Sequence, residues 1–194
     1  MRLLGALVLL LLSSTAFGAA YFGANYGYDF YSTKVLEEYK VAPKGPTYGA
    51  FLGFGREFVG LEVFYQSLTS EAKIKHDGGN FKIKENATAL GAALRFSFEI
   101  LYLRMGLARY TLDQSLDITD TASRQSAEVI YEIQEKSATK NGVMFGAGIH
   151  TKLGPGRVFL DYTRYQIYSI GHYDSFAVGM SFAIPERWFN LGKY

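Results

Sequence analysis

The chain has 194 residues, no cysteine and a formal net charge of +2. That length suits one domain, the absent thiols exclude disulfide stapling and a lipoprotein anchor, and the near-neutral balance gives no electrostatic case for nucleic acid. Aromatic side chains make up 16% of the residues beside 21 glycines; with mean hydropathy near zero, this suits a membrane barrel in which only alternate residues face lipid.

In chain order, Met1-Arg2 is a minimal positive segment, Leu3 to Leu12 an apolar run, and Ser13 to Ala20 a stretch of mostly small residues. This pattern predicts a secretory signal peptide over 1–20, cut after Gly18 or after Ala20, with Arg2 removed and the charge falling from +2 to +1. No later stretch approaches ~18 unbroken apolar residues, so no membrane-spanning helix is predicted. The first strand is expected at 21–31, with Phe22, Ala24, Tyr26, Tyr28 and Phe30 on one face. The second is expected at 47–56, with Tyr48, Ala50, Leu52 and Phe54, and the third begins at Val59 with Leu61, Val63 and Tyr65. Strict alternation is the strand signal throughout.

Residues 89–108 carry the most informative pattern, a hairpin turning at Glu99-Ile100. Leu90, Leu94, Phe96, Phe98, Leu101, Leu103, Met105 and Leu107 share one face, while the other holds Gly91, Ala93, Arg95, Ser97, Tyr102, Arg104, Gly106 and Ala108. A soluble barrel packs its large apolar residues inside. Here the second face is too small and charged for a dry core, so the apolar face is expected to meet lipid. Strands six, seven and eight follow at about 142–152, 157–168 and up to Ile184, where Pro185 cannot donate to a ladder. Connections near 57–58, 99–100 and 153–156 are short; those at 32–46, 73–80, 112–140 and 169–173 are mostly longer and polar. The expected fold is all-β: an eight-stranded antiparallel transmembrane β-barrel over 21–184, with short periplasmic turns, longer extracellular loops and a side-chain-filled interior. Residues 185–194 are left as a periplasmic or interfacial tail. Within the third loop, Leu112, Leu116 and Ile118 against Val129, Tyr131 and Ile133 suggest strands five and six continuing as a protruding hairpin, with a polar loop as the other reading.

Counting from the short turns puts Glu62, Arg95, Arg104, Asp161 and His150 inward at similar depth. Two acids and two arginines in a low-dielectric lumen should pair. We therefore expect an interior ion-pair layer of Glu62, Arg95, Arg104 and Asp161 with His150 at its edge. It can serve as core packing by charge or as a gate across a narrow water path. Lys73, Lys75, Lys82 and Lys84 flank loop two and could meet lipopolysaccharide phosphates. No phosphate loop, zinc spacing or dinucleotide fingerprint occurs, so no metal and no cofactor are expected.

The segment Gly142-Val143-Met144-Phe145-Gly146-Ala147-Gly148-Ile149 and the closing Phe176-Ala177-Val178-Gly179-Met180-Ser181-Phe182 resemble the small outer-membrane barrels of Gram-negative bacteria, the OmpA/OmpX-like and opacity-type, porin-like family. The resemblance implies a monomeric outer-membrane protein with a structural or surface-interaction (adhesin-like) role, contacting outer-membrane lipids, lipopolysaccharide and an extracellular or host ligand. That family commonly ends on an aromatic of its last strand. Here the chain runs on from Pro185, leaving Phe182 and Tyr194 as candidates for the assembly signal, and no peptidoglycan-binding domain follows. Some barrels of this type modify lipid A with His, Ser and an acid. The matching residues here are His172, Asp174 and Ser175, and His76 with Asp77. Their density is what a polar loop would show anyway, so the chain is read as a non-enzyme, with a narrow gated pore and a lipid A-modifying enzyme as alternatives.

Overall fold

The computed structural model describes residues 20–32, 42–55, 58–76, 79–118 and 137–184. The expected leader up to residue 19, the tail from 185, and Asp77, Val129, Tyr131 and Ile133 lie outside them. Eight strands follow one another: β1 (Ala20–Ser32), β2 (Lys44–Gly55), β3 (Val59–His76), β4 (Gly79–Phe98), β5 (Leu101–Ile118), β6 (Ser137–Leu153), β7 (Gly156–Ile167) and β8 (Gly171–Ala183). Each pairs antiparallel with the next, and β1 pairs with β8 from Tyr21↔Ala183 to Ser32↔His172, closing the barrel. Closure leaves the barrel wall no unpaired edge, which a sheet in hydrocarbon requires.

The alternation read along the strands is the alternation of the wall. Phe22, Leu90, Leu103, Leu107, Phe145, Leu160 and Val178 are exposed on the outside, where lipid is their solvent. Tyr26, Tyr28 and Tyr48 lie toward the outer end, and Phe54, Phe58 and Phe98 sit near the short turns, the two aromatic girdles of a membrane barrel. Inside, the small face of the β4–β5 hairpin is complemented by rings from other strands. Phe51, Phe64, Tyr110, Phe159, Tyr165 and Tyr173 join the buried core.

Glycines make room for those rings. Gly53 stands directly opposite Tyr21, Gly91 opposite Phe64, Gly148 opposite Tyr102 and Gly179 opposite Phe159. A Cβ on Gly148 would come within 2.5 Å of the Tyr102 ring, and one on Gly53 within 2.2 Å of the Tyr21 ring. A ring lying over its cross-strand glycine fills a lumen too narrow for two full side chains. Gly148→Val is expected to destabilise the barrel by about 1–3 kcal/mol through overpacking. A urea midpoint unchanged from wild type would refute that role.

Strand bounds depart from the sequence reading in three places. β2 begins at Lys44 rather than Thr47, with Tyr28↔Pro46 in the β1 ladder; on its other side, β2–β3 pairing lapses at Gly45 and Pro46, then resumes at Lys44↔Glu71. Proline lacks the amide donor, so that ladder breaks locally instead of ending. Loop two shrinks to residues 77–78, because β3–β4 pairing runs to His76↔Gly79, and the fourth outer connection to 168–170. β5 continues to Ile118 paired with β4, as far as Phe81↔Ile118; its pairing with β6 is described from Leu101↔Ile149 to Asp113↔Ser137, and residues 119–136 lie outside the described part. The protruding β5–β6 hairpin expected from Val129, Tyr131 and Ile133 lies outside the described residues, within which β3, β4 and β5 run on together.

Candidate functional site: charge clusters in the lumen

Arg95 and Arg104 are direct cross-strand partners at the lower end of β4 and β5. Two guanidinium groups so placed repel unless acids intervene. Glu62 on β3, fully buried, intervenes with both oxygens: Oε1 lies 3.4 Å from Arg95 and Oε2 lies 3.4 Å from Arg104. Asp161 on β7 takes the second Arg104 nitrogen at 3.2 Å, and Thr163 Oγ1 accepts from that nitrogen at 3.3 Å. Tyrosine hydroxyls complete the acids, Tyr21 donating to Glu62 at 2.8 Å and Tyr102 to Asp161 at 3.0 Å. The Arg95 guanidinium lies over the Tyr102 ring, 4.2 Å from its centroid, a cation–π contact.

The structure thus brings Glu62, Arg95, Arg104 and Asp161 into one cluster of two acids and two cations. His150 stands apart. Neither ring nitrogen has a hydrogen-bond partner, and its nearest aromatic neighbour is Tyr102, at 5.8 Å between centroids. Sequence reasoning placed Tyr102 on the inward face without assigning it to the cluster, and did not single out Tyr21 or Thr163; their shared inward parity was the available signal.

Nearer the outer mouth a second polar storey was not foreseen. Asp29 and Glu85 are buried there, with Tyr173 donating to Glu85 at 3.5 Å and stacked on Tyr31 at 4.5 Å. Gln66 donates to Thr47, and Thr47 to the Ser67 carbonyl, at 2.6 and 2.8 Å. Together the two storeys and the rings line the lumen.

The residues considered for catalysis do not assemble. Period-two geometry puts Ser175 inside the wall, buried, while His172 and Asp174 take the outward positions of β8. Asp174 is occupied: Arg164 grips it bidentately at 2.7 and 2.8 Å, and Tyr162 donates to it at 2.6 Å. His172 reaches it only at 3.4 Å. The His76 side chain and Asp77 lie outside the described part. Of the loop-two lysines, Lys82 forms an ion pair with Glu71 at 2.8 Å, Lys84 is exposed, and Lys73 holds the register position opposite Lys82. The side chains of Lys73 and Lys75 also fall outside the described part. Among the described residues no group of three potential metal ligands occurs.

A closed eight-stranded barrel with a lipid-facing apolar wall and a charge-paired lumen defines a β-barrel membrane protein. A family model for the outer membrane protein beta-barrel domain matches residues 4–183, and the chain belongs to that family; it is a protein of the bacterial outer membrane. Similar solved structures include Ail, the attachment invasion locus protein of Yersinia pestis, with a TM-score of 0.53 at 12% identity over 86% of this chain and 99% of Ail. Neisserial surface protein A gives 0.52 at 12% identity over 87% and 99%. The N-terminal barrel of Pseudomonas aeruginosa OprF gives 0.52 at 14% over 87% and 99%. A comparison with curated proteins finds no significant sequence relative.

Proposed function

We propose that this protein is a closed, non-enzymatic barrel that anchors in the outer membrane and presents its β3–β5 extension to the exterior as an interaction surface. The observation that carries the reading is the continued pairing of β3 with β4 to His76↔Gly79 and of β4 with β5 to Phe81↔Ile118, beyond Lys44↔Glu71, where β2 begins. A sheet continued past the lipid has no use as a membrane wall. The filled lumen favours this over a pore, since planar Arg–carboxylate pairing with stacked rings leaves little room for a water path. The reading accords with the names of two neighbours, an attachment invasion locus protein and a surface protein. Exposed Lys84 is the loop-two cation we assign to anionic lipopolysaccharide groups, Lys82 being neutralised by Glu71.

The test replaces residues 74–81 by a two-residue turn. The variant is expected to keep heat-modifiable migration on gels, the mark of a folded barrel, while cells expressing it lose the adherence to epithelial monolayers conferred by the wild-type chain. Equal adherence of wild-type and non-expressing cells would remove the surface role. Planar-bilayer recording should show no conductance steps for wild type or for Arg104→Ala; steps in either would restore the gated pore. An altered lipid A mass profile on expression, reverting in His172→Ala, would restore the enzyme.

A further inference from the structure

At the periplasmic mouth, a cavity of about 420 Å³ opens between the turns at 99–100 and 154–155, and it takes no part in the ion-pair cluster. Its wall carries Lys152 and Arg157, direct partners across the β6–β7 ladder. Like charges so placed destabilise a sheet unless an anion lies between them. Among the described residues neither forms an ion pair. His150 lines the same cavity, only 8% exposed, with both ring nitrogens unpartnered. Buried polar atoms without partners are uncommon in folded proteins and call for an explanation. One carboxylate, Glu99, also lines the cavity, on a turn residue held at φ 47°. Phe58 and Ile100 add an apolar lip, both strongly exposed toward the lipid end of the mouth.

Two cations and an imidazole facing one carboxylate make a zwitterion's complement. We propose that this cavity binds a phosphoethanolamine group, its phosphate held by Lys152, Arg157 and His150 and its ammonium by Glu99. The volume is of the size that small-molecule sites use, and the Phe58–Ile100 lip gives an acyl chain somewhere to lie. A lipid head group of the periplasmic leaflet is therefore one source and soluble phosphoethanolamine the other.

The experiment refolds the full barrel in neutral detergent and measures lipid retention by native mass spectrometry. Phosphatidylethanolamine is expected to be retained over phosphatidylglycerol. In the Lys152→Ala/Arg157→Ala double variant, retention should fall about a hundredfold, the equivalent of losing two charge-assisted contacts. Glu99→Gln should abolish the preference between the two head groups while phosphate-dependent retention persists. Phosphorus NMR titration with soluble phosphoethanolamine separates the sources: displacement of the lipid shows that the head group alone is read, and binding of the soluble compound with the lipid ignored assigns the site to a periplasmic solute. Heat-modifiable migration checks folding, and Arg157→Gln replaces the double variant if that fails to fold. Strong and equal retention of both lipids by wild type, binding of either form left unchanged in the cation variant, or no binding of either form would overturn the proposal.

Discussion

Glu62→Gln is expected to cost the barrel about 3–5 kcal/mol, the range for removing one partner of a buried ion pair. The loss is large because Glu62 serves two cations at once, and Arg95 and Arg104 are cross-strand neighbours whose repulsion it screens. Arg95 already has two nitrogens and Arg104 one without hydrogen-bond partners; without Glu62, Arg104 keeps Asp161 and Thr163, whereas Arg95 loses its one carboxylate. Asp161→Asn should cost less, since Asp161 pairs with one arginine, Arg104, where Glu62 pairs with two. Adding Arg95→Met to Glu62→Gln should recover part of the loss, because deleting both partners avoids the stranded charge. Urea unfolding in lipid vesicles measures each step. A Glu62→Gln barrel within about 0.5 kcal/mol of wild type, inside the range of ordinary surface substitutions, would show that the lumen is too well solvated for pairing to matter.

The second large effect lies on the other side of the wall. Met105 points outward, about midway between the turn at 99–100 and Arg109, flanked by Leu94 and Phe145 on neighbouring strands. Met105→Arg is expected to cost about 2–4 kcal/mol, the midplane value for a cation facing lipid, whereas Leu101→Arg beside the turn should cost about 0–1 kcal/mol. Unfolding of both variants in the same vesicles gives the comparison. Equal costs at the two positions would mean that the apolar belt is not centred on Met105.

The wall was legible because period two is a local signal. The faces of Phe22, Leu52, Leu103 and Phe176 follow from alternation alone, and so does the inward parity of Glu62, Arg95, Arg104 and Asp161. What alternation does not carry is partnership. Nothing in the order of residues says that β3 stays paired with β4 as far as His76↔Gly79, or that the Tyr102 ring covers Gly148. Those outcomes depend on shear and lumen width, which belong to the closed barrel. The expected start of β2 falls too late for a different reason: Pro46 lacks a donor, and in the structure it interrupts one ladder while the other continues to Lys44. His150 was placed at the edge of the cluster by counting from a turn, and counting cannot tell which atoms its ring nitrogens reach.

The β1–β8 pairing has a consequence for assembly. Seven of the eight strand pairings join neighbours in sequence; the eighth, from Tyr21↔Ala183 to Ser32↔His172, joins strands separated by nearly the whole barrel. Contacts so distant along the chain form slowly, because a long loop must close before any pairing rewards it. Hairpins can form in microseconds, so the meeting of the first and last strands is the step expected to limit the rate. Until then both edges expose unpaired amides that hydrocarbon cannot satisfy. The seam is also where rings from the two strands meet on the lipid side, Phe22 with Phe182 at 5.8 Å and Phe30 with Phe176 at 6.2 Å. These contacts latch the seam once it shuts, and they place the kinetic bottleneck of insertion at its first and last strands rather than at its charged centre.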